Sequence, residues 1–167
     1  MAIATVTPVS GVFEAAVSVN FTPMSCLFAG LLEVLGLACD AEGLVEGHPF
    51  EDVQASGHLR QAEVLWDQVL DMFQFLVRTT PRNDSDKAIK SACEVLRYTL
   101  NVETTSDAAR WSKEGHNLLD ALHQVTPSGD RHTRSLLSLA QQRFQALILL
   151  DRYPCNAQVE PAARWPT

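Results

Sequence analysis

Residues His58–Arg78, HLRQAEVLWDQVLDMFQFLVR, return an apolar side chain at every third or fourth position: Leu59, Ala62, Trp66, Val69, Met72, Phe73 and Leu76. A helix turns about 100° per residue, so these positions stack along one side of it. Leu65, Leu70 and Val77 widen the stripe, while Arg60, Glu63, Asp67, Gln68, Asp71 and Gln74 fill the opposite arc. One side is therefore expected to pack and the other to stay wet. The rest of the chain is expected to assemble around this helix.

Four further helices can be read from the same spacing. Met24 to Cys39, after Thr22 and Pro23, places Leu27, Phe28, Leu31, Leu32, Val34 and Leu35 on one broad side and Cys26, Ala29, Gly30, Glu33 and Gly36 on the other. Small residues let another backbone come close, so this helix is expected either to lie centrally or to meet its own copy in a homodimer through residues 24–39. Asp84 to Asn101 carries the stripe Ala88, Ile89, Ala92, Cys93, Leu96 and Leu100, with Asp84 or Ser85 as its cap. A helix opening at Thr104 to Asp107 carries Ala108, Trp111, Gly115, Leu118, Leu122 and Val125 until Pro127, Ser128 and Gly129 stop it. The last runs from Asp130 to Arg152, with Leu136, Leu137, Ala140, Phe144, Leu147, Ile148 and Leu150 inward. The connections after residue 78 are short, which favours antiparallel neighbours. The expected fold is an all-α antiparallel bundle of about five helices.

At 167 residues the chain can bury roughly 70% of its unfolded surface and needs no metal or disulfide to fold. Its expected organisation is an extended N-terminal arm over residues 1–23, one helical domain over 24–153 and a flexible tail over 154–167. Val17 to Thr22 alternates like a short strand, and the tail is rich in proline.

The net charge of −7 is unevenly placed. Ahead of Arg60, the first base, stand Glu14, Glu33, Asp40, Glu42, Glu46, Glu51 and Asp52, whereas the 13 acids that follow are matched by 13 bases. An acidic field repels phosphate backbones and attracts basic protein surfaces, so no direct nucleic-acid binding is expected. Cys26 and Cys39 would be separated by about 19 Å of helical rise, too far to bridge. Four scattered cysteines without a C-x-x-C pair read as reduced thiols in a cytoplasmic protein. No basic segment precedes the apolar run, and Met24 to Cys39 is short for a bilayer span and carries Glu33, so no membrane association is expected.

Asp40 to Pro49, DAEGLVEGHP, reads as a loop whose acids flank Leu44 and Val45; its spacing does not fit a calcium loop. Asp40, Glu42, Leu44, Val45, Glu46, Glu51 and Asp52 are thus the candidate partner-binding residues, for a protein with a basic surface. His116, Asp120 and His123, at i, i+4 and i+7, form an alternative metal site, with His132 as a further ligand to test. The wheel puts these three opposite Trp111, in water. Phosphotransfer, di-iron, nucleotide and hydrolase motifs lack their required partners, so no cofactor is assigned. The expected function is that of a non-enzymatic interaction protein: a regulator, adaptor or inhibitor. Val64, Phe75, Tyr98 and Leu149 fall on otherwise polar sides and are expected at the surface.

Overall fold

The computed structural model describes residues 21–45, 53–150 and 152–154, with the side chains of 53–56 left aside. Among them are five helices and no strand: α1 Pro23–Val45, α2 Val53–Arg78, α3 Asp84–Thr99, α4 Thr105–Val125 and α5 Arg131–Leu149. The all-α bundle expected from the periodicity is what forms. The arm over residues 1–20 and the tail over 155–167 lie outside the described residues.

The helix starts follow local chemistry. Thr22 opens α1 reciprocally: Ser25 N–H donates to Thr22 Oγ1 at 3.0 Å while Thr22 N–H donates to Ser25 Oγ at 2.9 Å. Asn83 caps α3 by accepting from Asp86 N–H, one residue before the expected Asp84 and two before Ser85; Thr104 caps α4 and Asp130 caps α5. The first two starts are tied together, because Thr22 Oγ1 also donates to the buried Asp86 carboxylate at 2.6 Å.

The most deeply buried helix is α1, which packs against α2, α3 and α5. Among the described residues α3 touches all four other helices, whereas α2 meets only α1 and α3, and α4 only α3 and α5. The longest amphipathic stretch in the chain is therefore an edge helix. Its stripe is narrower than the spacing implies: Ala62, Val69, Phe73 and Leu76 are buried, but Leu59 and Leu70 are exposed. In α1, Phe28, Leu31, Leu32 and Leu35 are fully buried, each contributing roughly 1.5–3 kcal/mol.

Two glycines of α1 meet other helices of the same chain. Gly36 gives its space to Arg143 of α5, whose Nε donates to Leu32 O at 2.9 Å, and a Cβ on Gly30 would come within 3.2 Å of the Met72 methyl. Asp40–Val45, expected as loop, continues α1 without a break. Ala38, Cys39 and Ala41 remain buried there, so packing carries the helix through the sequence Asp40-Ala-Glu-Gly. At 23 residues α1 is long and apolar enough to cross a bilayer, unlike the shorter segment inferred from sequence, with 56% of its apolar window buried inside the bundle.

In α4 the buried residues are Ala108, Gly115 and Leu119, while Leu118 and Val125 of the expected stripe are exposed. Gly115 is required by contact: a Cβ there would sit 2.6 Å from the ring of Phe144, which is fully buried and has nowhere to move. Gly57, by contrast, lies inside α2 with nothing near its Cβ direction. Gly57→Ala should raise the thermal midpoint by a few degrees, because alanine gains about 1 kcal/mol in an exposed helix. Gly115→Ala should lower it, since about 1–3 kcal/mol of overpacking exceeds that gain; circular dichroism melts of the two variants measure both signs.

The Asp130 cap predicts an acid response. Burial pushes its carboxyl up, but hydrogen bonds from Ser85 and from Thr133 outweigh this and hold it below the usual carboxylate range. A depressed carboxylate contributes stability above its unfolded value, near 4, and loses it as pH falls through the lower folded value. Asp130→Asn keeps a capping oxygen without this titration. Its denaturant midpoint is expected to fall less steeply below about pH 4 than that of the wild type.

Candidate functional surfaces

The residues expected to bind a partner separate by their surroundings. Asp40 and Leu44 are exposed and Val45 is half-buried, whereas Glu46, Glu51 and Asp52 lie outside the described residues. Glu42 is engaged internally. Its side chain is only 19% exposed and pairs with Arg152 Nε at 3.3 Å, while Trp66 Nε1–H donates to it at 2.7 Å. The Arg152 guanidinium also lies 3.7 Å from the centre of the Trp66 ring, an attractive cation–π geometry. These three side chains hold the end of α5 to α1 and α2. Sequence spacing could not have found them, since they come from three separate segments.

Among the described residues, what stays exposed along α1 includes a straight seam. Glu33, Leu37, Asp40 and Leu44 follow one another at steps of four, three and four and are all exposed, Leu37 by 51% and Leu44 by 54%. That spacing keeps them on one side of the helix, so acids and leucines alternate along a single outward line. Leu37 had no place in the sequence-based site. The helical continuation of α1 brings Asp40 and Leu44 into register with Glu33 and Leu37.

The alternative metal ligands do not converge. His116 Nε2 stands 3.5 Å from Asp120 Oδ2, but the other Asp120 oxygen accepts from Gln141 Nε2 of α5, and His123 Nε2 is 3.2 Å from Ser138 Oγ of α5. Asp120 and His123 are thus half-buried and engaged by α5, although the Asp120 side chain stays 45% exposed. His132 stands apart, with its ring centre 4.6 Å from that of Phe21. Among the described residues no three His, Cys, Asp or Glu side chains are grouped to hold a metal ion.

A second surface opens between α3 and α4. Ser91, Glu94, Val95 and Tyr98 form one wall and Trp111, Leu118, Ala121, Leu122 and Val125 the other of an apolar groove of about 480 Å³. The indole is held in place: Trp111 Nε1–H donates to Thr99 Oγ1 at 3.0 Å and its ring lies 4.3 Å from that of Tyr98. Tyr98, expected at the surface, is indeed half exposed, as are Val64, Phe75 and Leu149. The outward turn of Leu118 and Val125 is what makes the groove apolar.

No protein-family model, no curated protein and no solved structure matches this chain.

The three described cysteines are free thiols. Burial pushes Cys39 up to about 11, with Arg152 opposing, and burial pushes Cys93 up to about 12; Cys26 is exposed. A buried, protonated thiol is a poor nucleophile. In a Cys155→Ser background at pH 8, an aromatic disulfide reagent is expected to titrate Cys26 promptly and Cys39 and Cys93 only after denaturant is added. Prompt reaction of all three would show that α1 and α3 are not packed as described.

Proposed function

We propose that the protein is a non-enzymatic interaction module that presents the outward seam of α1 to a partner with a basic surface. The supporting observation is the line Glu33, Leu37, Asp40, Leu44, in which two exposed leucines alternate with two exposed acids. Leucines on such a line offer apolar area to be covered, and flanking carboxylates favour a cationic partner and speed its approach. The surplus of acids ahead of Arg60 adds a field of the same sign. Regulator, adaptor and inhibitor are the roles open to such a module.

Charge reversal at Glu33 and Asp40 tests the reading without disturbing the core, because both side chains point outward. Glu42 is unsuitable for this purpose, since its reversal would break the contacts with Trp66 and Arg152. The experiment is capture from native extract by the intact chain, followed by direct binding of the purified captured protein. Glu33→Lys with Asp40→Lys is expected to weaken that binding by about tenfold, near 1.4 kcal/mol, with unchanged thermal stability. Binding that ignores both the reversal and added salt would refute the assignment of this seam.

A further inference from the structure

We infer that the α3–α4 groove is a second binding site, whose occupant is an amphipathic helix of another protein carrying one lysine or arginine within its apolar face. The inference stands on a surface separate from the α1 seam. Its first basis is shape. α3 and α4 run side by side at an edge of the bundle, and α4 touches neither α1 nor α2. The valley between them is lined by Val95, Trp111 and Leu122 and flanked by Tyr98, Leu118 and Val125, which are 50%, 47% and 75% exposed. Ser91 to Tyr98 and Leu118 to Val125 each span about 10 Å of helical rise. A helix with apolar residues at i, i+3, i+4 and i+7 has the length and cross-section to lie there as a third neighbour.

The second basis is charge. Glu94 is the one carboxylate lining the groove, and among the described residues no cation stands within ion-pair distance of it. Of the cations along the flanking helices, Lys87 pairs with Asp84 at 2.7 Å, Arg110 with Asp107 at 2.9 Å and Lys90 donates to Thr79 O at 3.2 Å, while Arg97 and Lys113 neither line the groove nor pair with Glu94. A carboxylate beside apolar walls selects a positive group on whatever covers it, because covering it with a neutral or acidic face would strip its water without compensation. The same carboxylate disfavours a second copy of this chain, since face-to-face pairing of two grooves would bring like charges into one apolar seam.

The test uses the full chain and two synthetic helical peptides of about 18 residues, long enough to hold a helix. Both carry leucines at i, i+3, i+4 and i+7; one has a single lysine within that face and the other a glutamate there. Fluorescence anisotropy of the labelled peptides is expected to show the lysine peptide binding at least about tenfold tighter. Glu94→Lys should reverse the preference. Leu118→Asp, at an exposed position, should abolish binding with the melting curve unchanged, while Leu37→Asp on α1 should leave it intact. The inference is overturned if neither peptide binds, if Glu94→Lys leaves the order unchanged, or if Leu37→Asp rather than Leu118→Asp removes binding. It is equally overturned if the wild type sediments as a dimer that Leu118→Asp converts to monomer. Because Leu37 and Leu118 lie on different helices, loss of this site and loss of the α1 reading give different patterns.

Discussion

The requirement that α1 be covered on most of its circumference dictates where the other helices can lie. Phe28, Leu31, Leu32 and Leu35 admit no water, and the same helix also buries Met24, Ala38, Cys39 and Ala41. A single neighbour covers one stripe of a helix, so an element this apolar needs several. It obtains α2 on one flank and α3 with α5 on the others. Gly36 permits one of these approaches by leaving room for Arg143, which in turn bonds to the α1 backbone.

With α1 and α3 taking the interior positions, α2 and α4 lie at the edges, and the edge positions account for the surface. An edge helix packs through a narrow stripe and leaves side chains on the shoulders of that stripe exposed. Leu59 and Leu70 of α2 and Leu118 and Val125 of α4 are such shoulder residues. On α4 the shoulder meets Tyr98 and Val95 across the gap to α3, so two ordinary helix margins together make an apolar groove. On α1, the arc left open among the described residues carries Glu33, Leu37, Asp40 and Leu44. Both candidate surfaces are therefore consequences of which helices occupy the middle.

Polar contacts then fix the ends of the bundle. Thr22 with Asp86 joins the starts of α1 and α3, Ser85 with Asp130 joins the starts of α3 and α5, and Glu42, Trp66 and Arg152 join α1, α2 and the end of α5. Each uses a side chain that local sequence explains in another way, as a cap, a loop acid or a core aromatic. Such pairs hold register more than they add stability, since a net hydrogen bond contributes only about 1 kcal/mol.

The sequence by itself determined that the chain is helical, where α3, α4 and α5 lie to within a few residues, and most of the apolar side chains that α3 and α5 bury, although Val95 is buried outside the expected stripe and Leu100 and Ile148 are only half-buried. Those properties follow from local propensity, caps and a period near 3.6, all of which act over a few turns of chain. The same local information put the long two-sided helix α2 at the centre and ended α1 at Cys39. Tertiary structure decided otherwise, because a helix apolar on most sides is the one that other helices must surround, and packing of Ala41 sustains it past the acids. Only the assembled bundle separated Asp40 and Leu44, which face outward, from Glu42, which Trp66 and Arg152 hold. It alone turned Asp120 and His123 toward α5 and brought Tyr98 and Trp111 together with Leu118 across two helices. Which shoulder of a stripe is covered depends on where neighbouring helices stop, and no pattern within one helix records that.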